Sequence, residues 1–244
     1  METKRSKDTI QSLKTGLSII EAIVAENRPL RIIEIQEKTQ ITKSNLYKYM
    51  NTLVNENLIF REQETGMYHL GSRLIQYGMA AIGNQDVIAI TAPYLQKICS
   101  ETNHSVIFAL PTFDGPVIAK IFRPHQTLNI GAEIGTLLPP NSSAGKIFDV
   151  FSTKLMVENW RRKYNFSNDE TSVESEEIKT EKIAFATEPL IAEISSVAIP
   201  IISFNNELVG IVTLVGFSSE IPGSIDSPIS LYLKQMQLEI SERF

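Results

Sequence analysis

Apolar positions recur at helical spacing in three early stretches of the 244-residue chain. Residues 10–26 carry Leu13, Leu17, Ile20, Ile23 and Val24 on such a period, and Asn27 with Pro29 ends the run. A shorter helix over 31–39 turns Ile32 and Ile35 inward. After a tight turn, Thr42 stands where an N-cap would start a third helix. That helix, inside "ITKSNLYKYMNTLVNENLIF" (41–60), buries Leu46, Tyr49, Met50, Leu53 and Val54 as one stripe. It ends near Asn55 to Asn57, and Asn57 suits the left-handed conformation common past a helix C-terminus. Leu58–Arg61 and Met67–Leu70 then alternate as two strands around Glu64-Thr65-Gly66.

Further on, residues 71–86 predict a connecting helix capped by Ser72, with Leu74, Ile75 and Met79 along one side. Another helix follows near 87–101. The period then shortens to that of strands: 105–111, 116–122, 196–204 and 208–217, with hairpin turns at Asp114-Gly115 and Asn205-Asn206. A charged, weakly patterned helical region fills 152–182, and a helix over 227–242 closes the chain. This predicts an α+β fold with an antiparallel sheet in the second part. The expected organisation is a winged helix-turn-helix over 1–71, a linker helix over 72–86 and a ligand-binding domain over 87–244.

Three helices and a hairpin form the winged helix-turn-helix plan, and the polar face of the third helix agrees with it. Lys43, Ser44, Asn45, Tyr47, Lys48 and Asn51 surround the apolar stripe with no carboxylate among them. In a major groove a carboxylate would meet phosphate repulsion. Lys43 and Lys48 suit phosphate or guanine, Asn45 and Asn51 suit base edges, and Thr42, Ser44 and Tyr47 suit either. Arg61 on the wing strand suits the backbone or minor groove.

Charge bears on this reading through its distribution. The net value is −5, yet residues 1–70 hold 10 Lys+Arg against 9 Asp+Glu, while the rest holds 13 against 19. Any contact with double-stranded DNA must therefore come from a local surface of the first segment, and the same tri-helical plan also serves in protein–protein contacts. One cysteine, Cys99, excludes an internal disulfide framework and suits a reducing cytosol. The longest apolar run, 208–217, is far shorter than a membrane span requires, so a cytoplasmic protein without membrane contact is expected.

Chemistry for catalysis is sparse. His69, His104 and His125 are scattered, and no histidine, cysteine and carboxylate spacing suggests a metal site or a bound cofactor. "SSAGKIFDVF" (142–151) invites comparison with a phosphate-binding loop, but Pro140 replaces the upstream glycine and Ile147 the magnesium-holding hydroxyl. As a loop entering a helix, Ser142, Ser143, Ala144 and Gly145 would let a ligand approach unpaired backbone amides, which favour an anion. The plainer alternative is a helix start packed on the sheet.

Taken in order, "IQSLKTGLSIIEAI", "ITKSNLYKYMNTLVNENLIF", "MYHLGSRLIQYG", "SSAGKIFDVF" and "SVAIPIISFNNELVGIVTLVGF" resemble the IclR family of bacterial transcription regulators. The resemblance implies a GAF/profilin-like C-terminal effector domain, dimers often paired into tetramers, operator DNA and a small metabolite. It also implies pocket roles for Ser196, Thr213 and Val215, and for Thr187 or Glu188 near an acid position of the family. Departures are Gln40 and Asn57 for expected glycines, Arg31 for a hydroxyl cap, Pro140 for a histidine, Ser196 for a cysteine and Val215 for a serine. The expectation is a repressor of a catabolic operon, with a small organic acid as effector and no enzymatic activity. The alternative from another class is a metabolite-binding enzyme or sensor whose first segment serves dimerisation.

Overall fold

The protein is described by a computed structural model over residues 9–82, 87–124, 133–166 and 173–244. The side chain of Met79 and all of His125 lie outside the described residues. Contacts divide the chain into two units, Met1–Gln85 and Asp86–Phe244.

In the first unit, α1 (Gln11–Glu26), α2 (Ile32–Thr39) and α3 (Lys43–Asn55) precede a hairpin of β1 (Ile59–Arg61) and β2 (Tyr68–Leu70). Ile59 faces Leu70 and Arg61 faces Tyr68, and Leu30 exchanges backbone bonds with Tyr68 to add a third rung. The core gathers Ile19, Ile23, Leu30, Ile35, Leu46, Met50 and Ile59. Two turns use backbone that side chains disfavour: Gln40 and Asn57, the residues in place of glycine, both have φ of 55°. Asparagine tolerates this locally; Gln40 closes α2 by donating its N–H to Gln36 O at 2.9 Å.

The apolar residues of α1 divide between two faces. Ile20 and Ile23 are buried with Ile19, whereas Leu13, Leu17 and Val24 are exposed. The helix is apolar on two faces, and α2, α3 and the hairpin cover only one. Likewise α3 buries Leu46, Met50 and Leu53, with Tyr49 and Val54 only partly covered. The next helix, α4 (Ser72–Ile82), packs Leu74 on the same core, and Arg73 pairs with Glu56. Ile75, expected beside Leu74, is exposed, because the two neighbours in sequence are a helical step of 100° apart.

The second unit runs α5 (Val87–Thr102), β3 (Ser105–Thr112), β4 (Gly115–Phe122), α6 (Ser143–Phe151), α7 (Lys154–Tyr164), α8 (Val173–Glu181), β5 (Ala184–Ala186), β6 (Ile194–Ile202), β7 (Leu208–Phe217) and α9 (Pro228–Ser241). The strands form one antiparallel sheet in the order β4-β3-β7-β6-β5. Both faces are covered, which explains why β6 and β7 read as almost continuous apolar runs. One face sends Phe108, Val197, Ile199 and Leu214 toward Leu95, Leu233 and Met236 of α5 and α9. The other sends Ala109, Ala198 and Ile211 toward Ala144, Ile147 and Trp160 of α6 and α7. Cys99 is buried in the first of these cores. The short β5 was not expected from sequence, since three residues are too few to show a period.

Candidate DNA-binding face and effector pocket

The candidate DNA-reading residues share one side of α3. Lys43, Ser44, Asn45, Tyr47, Lys48 and Asn51 are exposed, while Leu46, Met50 and Leu53 of the same helix point into the core. Thr42 occupies the N-cap position but its side chain makes no capping bond, so its hydroxyl is available to solvent or a ligand. Thr52 shares the exposed side and donates its hydroxyl proton to Lys48 O at 2.9 Å, which leaves its oxygen able only to accept. Arg61, on β1, is exposed with its guanidinium 5.9 Å from the Tyr68 ring centroid. No carboxylate belongs to α3. A helix held by its inner stripe and open along a neutral-to-basic outer stripe can enter a groove without moving its core.

The second candidate site is a pocket on the α6 side of the sheet, with a cavity of ≈ 90 Å³. Ser142, Ser143 and Ala144 border it from the start of α6, Ser196 from β6, and Thr213 and Val215 from β7. Ser142 caps the helix, accepting the Gly145 N–H at 3.0 Å and donating its hydroxyl to Pro139 O at 2.7 Å. Ser143 Oγ donates to Ser196 Oγ at 2.7 Å, joining helix to sheet. The Thr213 hydroxyl oxygen is buried without a hydrogen-bond partner.

Two expected pocket residues are placed elsewhere. Gly145 does not line the cavity; a Cβ on it would stand 2.2 Å from Pro139 O, so glycine lets the helix start close on the preceding loop. Thr187 is exposed past the end of β5, where the chain turns away. Its neighbour Glu188 is also exposed, at φ of 48°, and donates its N–H to Ser195 Oγ at 3.3 Å. The segment after them returns over the cavity with Pro189, Leu190 and Ile191, and Ile107, Leu138 and Ile194 supply further apolar wall. These residues were missed because nothing in their local pattern marks them. Their place follows from the β5–β6 pairing, which sets Ala186 opposite Ser196. Lys146, next to the loop, bonds Glu174 at 2.6 Å and Phe185 O at 2.9 Å.

Known family models match both parts of the chain. Residues 12–62 match the IclR helix-turn-helix domain, and residues 79–241 match the bacterial transcriptional regulator IclR C-terminal domain. The chain belongs to the IclR family. An acetate operon repressor of Salmonella typhimurium is 24% identical over 142 residues, which are 57% of this chain and 52% of that protein. The p-hydroxybenzoate hydroxylase transcriptional activator of Acinetobacter baylyi is 24% identical over 170 residues, 67% of this chain and 62% of the relative. The chain thus spans about half the length of the curated relatives it matches.

Solved structures extend the likeness of fold over nearly the whole chain. The Thermotoga maritima IclR has a TM-score of 0.73 at 22% identity, covering 96% of this chain and 99% of that one. An IclR homolog from Microbacterium hydrocarbonoxydans, complexed with 4-hydroxybenzoate, has a TM-score of 0.70 at 14% identity, covering 95% and 98%. Among the described residues no helix is long and apolar enough to cross a membrane.

Proposed function

We propose that this IclR-family chain is a cytoplasmic, ligand-responsive transcriptional regulator, a repressor of a catabolic operon whose hold on operator DNA is modulated by a small organic acid. The observation that carries the reading is the exposed, carboxylate-free side of α3, presented by a helix whose other side is locked in the core. Relatives named as repressors and as an activator support regulation as the role, and a neighbour in complex with 4-hydroxybenzoate supports an acid as the effector.

Lys48→Ala is expected to weaken binding to all duplexes and lower the salt slope by about one unit, as loss of one phosphate contact does. Asn45→Ala is expected to cost roughly 1–3 kcal/mol of discrimination at one base pair. Fluorescence anisotropy on operator and scrambled duplexes over a salt series measures both. Parent-like binding by both folded variants would remove α3 as the reading helix. The enzyme or sensor alternative predicts no duplex shift even at low salt, with or without metabolite.

The exposed stripe of α1 supports a homodimer. Ile10, Leu13, Leu17 and Val24 are between 47 and 69% exposed and recur at the spacing of a helix–helix seam. A symmetric pair would match a symmetric operator and raise affinity through effective concentration. Further pairing into tetramers would run through the C-terminal units. Leu13→Glu together with Leu17→Glu is expected to shift sedimentation from dimer to monomer at micromolar concentration and to weaken operator binding. A parent protein that sediments as monomer would refute the dimer.

A further inference from the structure

A cavity of ≈ 220 Å³ opens where the end of α6 meets α7 and the start of α8. Ser152 borders it from the end of α6, Lys154 and Arg161 from α7, and Lys179 from α8. It shares no lining residue with the candidate effector pocket. Val150 and Val157 are the only apolar residues among the described lining, so the space is polar.

Its charge runs against its surroundings. Residues 71–244 hold 19 acids against 13 bases, yet three cations meet two carboxylates, Asp149 and Glu176, around this cavity. Arg161 and Asp149 answer each other through two hydrogen bonds, which also tie α7 to α6 and hold the two walls together. The two lysines are held loosely. Lys154 Nζ is 4.0 Å from Glu158 and Lys179 Nζ is 3.9 Å from Glu176, both too far for a hydrogen bond. Either ammonium can therefore turn over the cavity at little cost.

Ser152 points to a ligand independently of charge. Its hydroxyl oxygen is buried at the cavity and makes no hydrogen bond. A buried hydroxyl left unpaired opposes folding, so its retention fits a group that pairs with it part of the time. Beside it, Thr153 takes the N-cap position of α7 without a side-chain bond, which leaves amides of the first turn without an acceptor from that side chain. The uncommitted groups here are thus donors on several sides. Glu176 is the exception, and its side chain stands at the rim, 62% exposed.

Donors on several sides suit an acceptor with oxygens in several directions and more than one negative charge. A phosphate group has that form, whereas a carboxylate offers two oxygens in one plane and a single charge. The polar remainder of the cavity suits a short hydroxylated body and disfavours a hydrocarbon one. We propose that this cavity is a second ligand site, which takes a phosphate monoester with a small polar body. Ser152 Oγ and the ammonium groups of Lys154 and Lys179 receive the phosphate. The site stands apart from the effector pocket and does not rest on that reading.

The test is calorimetry on the full chain in a phosphate-free, low-salt buffer, with glycerol 3-phosphate, inorganic phosphate, succinate and glycerol as probes. Glycerol 3-phosphate is expected to bind about tenfold tighter than succinate, with glycerol giving no heat. Lys154→Gln together with Lys179→Gln is expected to weaken the ester by about 10- to 100-fold, as loss of bonds to a charged group does. Both side chains are largely exposed, so the melting temperature of that variant should stay with the parent. Ser152→Ala should weaken the ester by about tenfold and leave the melting temperature unchanged or raised, because the hydroxyl it removes is unpaired. Parent-like affinity in both variants would overturn the proposal, as would a parent chain that binds no phosphate probe. Succinate binding as tightly as the ester would reduce the site to unselective attraction and overturn it too. Inorganic phosphate binding as tightly as the ester would overturn the assignment of a monoester.

Discussion

Asp149→Ala is expected to destabilise the C-terminal unit by about 3–5 kcal/mol, the range for breaking one partner out of a buried ion pair. Arg161 grips both carboxylate oxygens, Nε to Oδ1 at 2.6 Å and Nη2 to Oδ2 at 2.8 Å, with the Asp149 side chain 3% exposed and the Arg161 side chain 15%. The variant takes the counter-charge from a guanidinium that has little water to replace it. Asp149 lies in the last turn of α6, whose first turn borders the candidate effector pocket, so acid affinity should fall with stability. Urea unfolding followed by circular dichroism measures the loss. Replacing both residues together, Asp149→Leu with Arg161→Met, should recover most of it, because no charge is then left buried. A single variant as stable as the parent would show that the pair holds nothing in place.

Trp160→Ala is expected to cost a further-reaching 3–5 kcal/mol, about the range for deleting a large buried aromatic ring. The side chain is wholly buried and meets Phe148 edge-on at 5.0 Å, with Tyr164 at 6.1 Å and Phe166 at 6.2 Å. It also lies against the start of β4, where Gly115 has φ of 119° and a Cβ would stand 2.4 Å from Trp160 Cδ1. Removing the indole opens a cavity between α6, α7 and the sheet that this backbone contact keeps from collapsing. Trp160→Phe should lose less than half as much. Calorimetric melting of the two variants checks the order. An alanine variant melting with the parent would mean that α7 is not anchored through this ring.

Much of the fold was legible because the relevant forces are local. The stripe of Leu46, Met50 and Leu53, the neutral-to-basic face around it, the left-handed Asn57 and the hairpin turn at Gly66 each follow from spacing and backbone preference within a few residues. The long strands β6 and β7 were legible for the same reason, since two covered faces leave an unbroken apolar run. What failed was the choice between faces. α4 carries Leu74 and Ile75 side by side, and periodicity did not say that Leu74 packs on the core while Ile75 stays exposed. The three-residue β5 and the turn after it carry no period at all.

By itself, then, the sequence determined the helices, the hairpins, a carboxylate-free outer face on α3 and the α+β class, because each depends on neighbours along the chain. Tertiary structure decided how the pocket closes. Ser143 and Ser196 are 53 positions apart and meet at 2.7 Å only because α6 packs on β6. Thr213 joins them through strand register, while Gly145 and Thr187 are excluded by a close backbone approach and by a turn at the sheet edge. A binding site is a convergence of distant residues, and convergence is set by the packing of whole elements rather than by local preference.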